Sequence, residues 1–139
     1  MVSQSIARTT GNIATLVFIV VIVLQFLLAL GILPVTMAWG GSQSVLTPAL
    51  RLAHVLAALL LAGFAYVIRR RAGLLVDAHP SRLIKILAWV ITGFLIFNTL
   101  GNFASSSTGE KLVFGSLTSV LVIACLLVSS SKSDQLLHK

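Results

Sequence analysis

Charge is scarce in this sequence. Of its 139 residues only 9% are Asp, Glu, Lys or Arg, against about 25% in an ordinary soluble domain. So few charges cannot cover a water-facing surface, and the medium around most of the chain must be lipid. Acids are rarer still, with only Asp77, Glu110 and Asp134, and no paired carboxylates for acid–base catalysis. Cysteine occurs once, as Cys125 inside an apolar run, so an intrachain disulfide is excluded. The three histidines, His54, His79 and His138, are far apart in sequence. Only His54 falls in an apolar run, so neither a bis-histidine haem nor a zinc site is expected, and no cofactor or metal is expected. There is no glycine-rich phosphate loop and no Ser/His/Asp set. Gly40-Gly41 follows a tryptophan rather than a strand and signals a turn.

Apolar residues make up 58% of the chain, and the mean hydropathy is +1.06. A transmembrane helix needs about 20 mostly apolar residues to cross about 30 Å of hydrocarbon. Four segments meet or nearly meet that need: Ile13 to Leu33, Pro48 to Ile68, about Leu83 to Gly101, and Leu112 to Val128, which is the shortest. Alternating strand patterns are absent, which argues against a barrel. The apolar part of the first segment is too long for a signal-peptide core, although Thr36-Met37-Ala38 loosely resembles a cleavage site. The expected fold is all-α: a single transmembrane domain over residues 1–139, a four-helix bundle of two antiparallel hairpins.

The net charge of +7 points to lipid rather than nucleic acid, because the basic residues sit at the ends of apolar runs. Arg8, Arg69, Arg70, Arg71, Arg82, Lys85, Lys132 and Lys139 fall on one side, and only Arg51 and Lys111 on the other. The positive-inside rule then places both termini in the cytoplasm of a cell membrane, such as a bacterial inner membrane. The basic side is expected to meet anionic lipid head groups. Trp39 and Trp89 fall near opposite interfaces, as aromatic belts do.

Ionisable and amide residues within spans are costly and mark candidate sites. Arg51 and His54 lie at i, i+3 near the start of the second span. Asn98 and Asn102 lie at i, i+4 at the end of the third, and Glu110 opens the fourth. Arg51 and Glu110 should share one membrane depth, so an Arg51–Glu110 ion pair is expected. Asn98, Asn102 and His54 should gather around it as a polar cluster under the outer loops. Gln25, in mid-span, fits a helix–helix hydrogen bond. Ser107-x-x-Glu110 fits a capping box, with Thr108 as a competing N-cap. Ala49/Ala53/Ala57, Ala58/Ala62 and Gly115/Ser119 form small-residue stripes for close helix packing or a dimer interface.

These residues resemble a group of uncharacterised small four-span bacterial integral membrane proteins. The matching pieces are Trp39-Gly40-Gly41, Leu46-Thr47-Pro48-Ala49-Leu50-Arg51, Arg71-Ala72-Gly73, and Asn102 followed by Ser107, Glu110 and Lys111. They span most of the chain. Where the group has a tryptophan and a proline after the last piece, this chain has Phe114 and Ser116. The resemblance implies the four-helix topology and a special standing for Arg51, Asn102 and Glu110. It implies no activity.

The expected role is a non-enzymatic accessory protein that binds lipid or a membrane-protein partner. The alternative is a small transporter or channel, acting as a homo-oligomer on an anion or small molecule. A lipid or quinone enzyme with His54 and Glu110 as base and acid would lack a nucleophile or metal.

Overall fold

The computed structural model describes residues 2–75 and 80–131. Its long helices are α1 (Gln4–Leu30), α2 (Pro48–Arg71), α3 (Arg82–Ala104) and α4 (Ser116–Ser129). A π-helical segment, Glu110–Gly115, runs directly into α4, and together they form a span of 20 residues, Glu110–Ser129. At 1.5 Å per residue even this shortest span covers about 30 Å. All four spans are long and apolar enough to cross a membrane. The protein is an all-α four-helix bundle, as the apolar runs predict.

Local chemistry sets the ends. Ser3, Thr47 and Ser81 each accept a backbone N–H of the first turn, from Ile6, Leu50 and Ile84 respectively. Pro48 follows Thr47 at the first helical position, where its missing N–H costs nothing. Gly31 ends α1 in the left-handed conformation, φ 78°, where glycine carries no Cβ penalty. The fourth span starts at the capping-box sequence, but only half the box forms. Ser107 Oγ accepts from Glu110 N at 3.3 Å, while the Glu110 carboxylate is engaged elsewhere.

Around the bundle, α1 packs on α2 and α4, and α3 packs on α4. The α2–α3 seam is much looser. Phe18, Leu28, Ile68, Leu95, Leu121 and Val128 are fully buried at the centre. Phe97, Leu16, Leu59 and Leu112 face outward, as expected where the solvent is lipid. On the α2–α3 seam, Phe64 and Phe94 meet edge to face, with ring centroids 5.4 Å apart.

Closest approach occurs at the basic end. A Cβ on Gly11 would lie 2.6 Å from Ala72 Cβ, so α1 meets the end of α2 where only glycine fits. Gly11→Val should cost about 1–3 kcal/mol by overpacking, read as a lower unfolding midpoint in maltoside micelles. Of the small-residue stripes, Ala58 is buried, and a Cβ on Gly115 would meet the Phe103 ring at 3.0 Å. These two serve contacts within the chain.

The basic triplet is not a uniform lipid-facing collar. Arg69 donates to Thr15 Oγ1 at 3.4 Å. Arg70 reaches the Tyr66 hydroxyl at 3.2 Å and lies over that ring. Arg71 is buried, and its Nη2 donates to the carbonyls of Ser129 and Ser131. It therefore closes the end of α4, where the last carbonyls lack helical partners. Val2 also bridges to Ser131 there. His79, His138, Lys132 and Lys139 lie outside the described residues.

Candidate functional site: a polar-capped cavity between the helices

At the end opposite the basic triplet, a cavity of about 360 Å³ lies inside the bundle. All four spans line it, and the loop after α1 contributes Ala38 and Trp39. Its polar lining groups are Gln25, Trp39, His54, Asn98, Asn102, Glu110 and Thr118. Apolar walls come from Val21, Leu60, Leu61, Leu95 and Leu121. Leu60, Phe94, Asn98 and Trp39 line the cavity and are also exposed, so it opens on the loose α2–α3 seam and beside the Trp39 loop.

His54 is the centre of the polar group and is only 2% exposed. Trp39 Nε1 donates to its Nε2 at 3.3 Å. An indole N–H can only donate, so Nε2 carries the lone pair and Nδ1 the proton. Nδ1 then donates to Gln25 Oε1 at 2.7 Å. The helix–helix bond expected of Gln25 is therefore formed, and its partner is His54. Both ring nitrogens are occupied, and the imidazole is held in its neutral form. The Trp39 ring also meets His54 edge on, at 5.9 Å. Trp39 thus braces the site, a role that its reading as an interface residue does not contain.

The backbone bends sharply to place this indole. Trp39 has φ 56° and is the one non-glycine residue with positive φ among the described residues. Gly40 and Gly41 follow at φ 72° and 73°. Left-handed backbone at a non-glycine residue costs about 1–2 kcal/mol, and such strain concentrates at ligand sites. The turn presents Gly40 N–H to Glu110 Oε2 at 2.9 Å. Ser105 Oγ donates to the same oxygen at 2.6 Å. Ser106 Oγ donates to the Gly40 carbonyl. Glu110 is thus the pin between the two loops at this end of the bundle.

The expected Arg51–Glu110 ion pair is replaced by other contacts. Arg51 Nη1 donates to the Ala29 carbonyl at 2.9 Å, capping the end of α1, and Arg51 does not line the cavity. The pairing rested on equal depth along the helices. Depth says nothing of direction around the helix axis, and Arg51 turns toward α1. The rest of the expected cluster, His54, Asn98, Asn102 and Glu110, does line one cavity. Asn102 Nδ2 donates to Asn98 Oδ1 at 3.3 Å and to Thr118 Oγ1 at 3.2 Å. Thr118 then donates to the Phe114 carbonyl at 2.7 Å. Thr118 had no signal in sequence, because a threonine in a span usually bonds its own helix, as this one also does. The π-helical winding at Glu110–Gly115, a geometry common at functional sites, sets Glu110 and Phe114 on the cavity side.

Among the described residues no group of three or more His, Cys, Asp or Glu could hold a metal ion. Fold and site together define a multi-pass membrane protein with a polar-capped cavity inside a four-helix bundle. No family model, curated protein or solved structure matches the chain.

Proposed function

We propose that this protein is a non-enzymatic membrane protein that binds a lipid-like molecule in the cavity between its helices. The observation that carries the reading is the cavity itself, with hydrogen-bonding groups at one end, apolar walls and a mouth on the α2–α3 seam. Its volume of about 360 Å³ lies within the range of small-molecule sites. A molecule entering from the bilayer would place its polar head against Asn98, Asn102 and Glu110. Its apolar part would lie along Leu60, Leu61 and Phe94.

In this reading the basic end faces the cytoplasm by the positive-inside rule. There Arg70, Arg82 and Lys85 meet anionic head groups, and the cavity opens in the outer half of the bilayer. The cell membrane of a bacterium is the setting the resemblance favours. A membrane-protein partner or a second copy would pack on the outward apolar faces of the bundle.

Leu61→Trp, which fills the cavity from α2, tests the reading. Wild-type protein extracted in mild detergent should carry a small amphiphile at near-stoichiometric level by mass spectrometry, and the variant should lose it. Repeated recovery of bare wild-type protein overturns the proposal. The second reading, a small homo-oligomeric transporter, draws on the same mouth. It requires solute flux in proteoliposomes that Leu61→Trp abolishes.

A further inference from the structure

We infer that the molecule held in this cavity carries a cationic head, a protonated amine or a quaternary ammonium, on an apolar body. The inference rests on the cavity-binding reading above and adds the charge of the head group.

The charge balance of the lining leads to it. Among the described residues Glu110 is the acid in the cavity wall, and none of the described Lys or Arg residues lines the cavity. Arg51, the cation expected to neutralise it, instead donates to the Ala29 carbonyl and does not line the cavity. Lys111 follows Glu110 in sequence but does not line the cavity. His54 is held neutral, with both ring nitrogens bonded. Glu110 Oε2 takes both the Gly40 and Ser105 donors, leaving Oε1 with no protein donor among the described residues. A carboxylate at the edge of hydrocarbon without a countercharge is costly. A cationic head would supply that charge. An anionic head would be repelled, and a neutral one would leave the carboxylate uncompensated.

A second feature points the same way. Three aromatic side chains, Trp39, Phe94 and Phe114, line the cavity. Aromatic walls around a carboxylate suit ammonium groups, which bind ring faces through the ring quadrupole. Asn98 and Asn102 add neutral acceptor capacity beside them. The cavity is large enough for the head and the first carbons of a chain. The rest of the chain would leave through the mouth at Leu60 and Phe94 into the bilayer.

The test uses the full chain in neutral maltoside micelles, with Trp89→Phe so that Trp39 is the sole tryptophan. Three probes with the same ten-carbon tail are titrated: decyltrimethylammonium, decanol and decyl sulfate. The cation should change Trp39 fluorescence saturably and bind at least about tenfold more tightly than decanol. Decyl sulfate should not compete. Glu110→Gln should reduce the preference for the cation to about twofold or less. The wild-type comparison stands even if that variant fails to fold. Equal binding of decanol and the cation would overturn the cationic head and leave the cavity-binding reading intact. Saturable binding of none of the three by the protein with its cavity unfilled would overturn both.

Discussion

His54→Ala should lower the stability of the bundle by about 3 kcal/mol and shift Trp39 emission to longer wavelength. The size follows from three losses. Two interhelical or loop hydrogen bonds disappear, worth about 0.6 kcal/mol each in membrane proteins. Gln25 Oε1, which accepts from His54 at 2.7 Å, is left without its partner inside a span, at about 1–3 kcal/mol. The removed ring also leaves space beside the cavity. The fluorescence shift follows because the Trp39 indole, half exposed already, loses its acceptor. Folding stability read by denaturant titration in micelles, together with emission spectra of a Trp89→Phe background, measures both. A joint His54→Leu and Gln25→Leu replacement should recover much of the stability, because it removes donor and acceptor together. If the single and double variants lose the same amount, the hydrogen bond contributes nothing.

Phe18→Ala should be the most damaging truncation in the apolar core, at about 2 kcal/mol, while Phe97→Ala should fall within about 0.5 kcal/mol of wild type. Phe18 is 0% exposed and Phe97 is 77% exposed. In water both changes would lose hydrophobic transfer energy. In a bilayer the unfolded helix is also surrounded by hydrocarbon, so that term largely cancels and packing remains. Deleting the Phe18 ring opens a void on the order of 100 Å³, and about 24 cal/mol per Å³ then gives ~2 kcal/mol. Lipid fills the space left by Phe97. Comparing the two variants by the same titration in micelles separates bundle packing from mere hydrophobicity.

The two loops at the site end show how a short motif gains meaning only in three dimensions. Trp39-Gly40-Gly41 reads as a turn, and it is one. Its purpose lies in the left-handed run that sends an indole to His54 and a backbone N–H to Glu110. Ser107-x-x-Glu110 reads as a capping box. The serine caps, and the glutamate leaves the box because Gly40 N–H and Ser105 Oγ offer it two donors.

The number of long apolar helices and the all-helical fold were determined by the sequence alone, whereas α1 begins at Gln4 and ends at Leu30 rather than running from Ile13 to Leu33. Run length, hydropathy and the need to satisfy every backbone group within lipid leave no other solution. So was the membership of His54, Asn98, Asn102 and Glu110 in one layer, because depth in a membrane is counted along the chain at 1.5 Å per residue. What sequence could not supply was rotation about each helix axis and the choice among competing partners. Tertiary packing turned Arg51 toward the end of α1 and buried Arg71 against the end of α4. It brought Gln25 to His54 across two helices. It also left the α2–α3 seam open over a carboxylate, with no cation among the described residues lining the cavity. Those outcomes depend on which faces of four helices fit together, and a linear pattern of apolar residues carries no record of that fit.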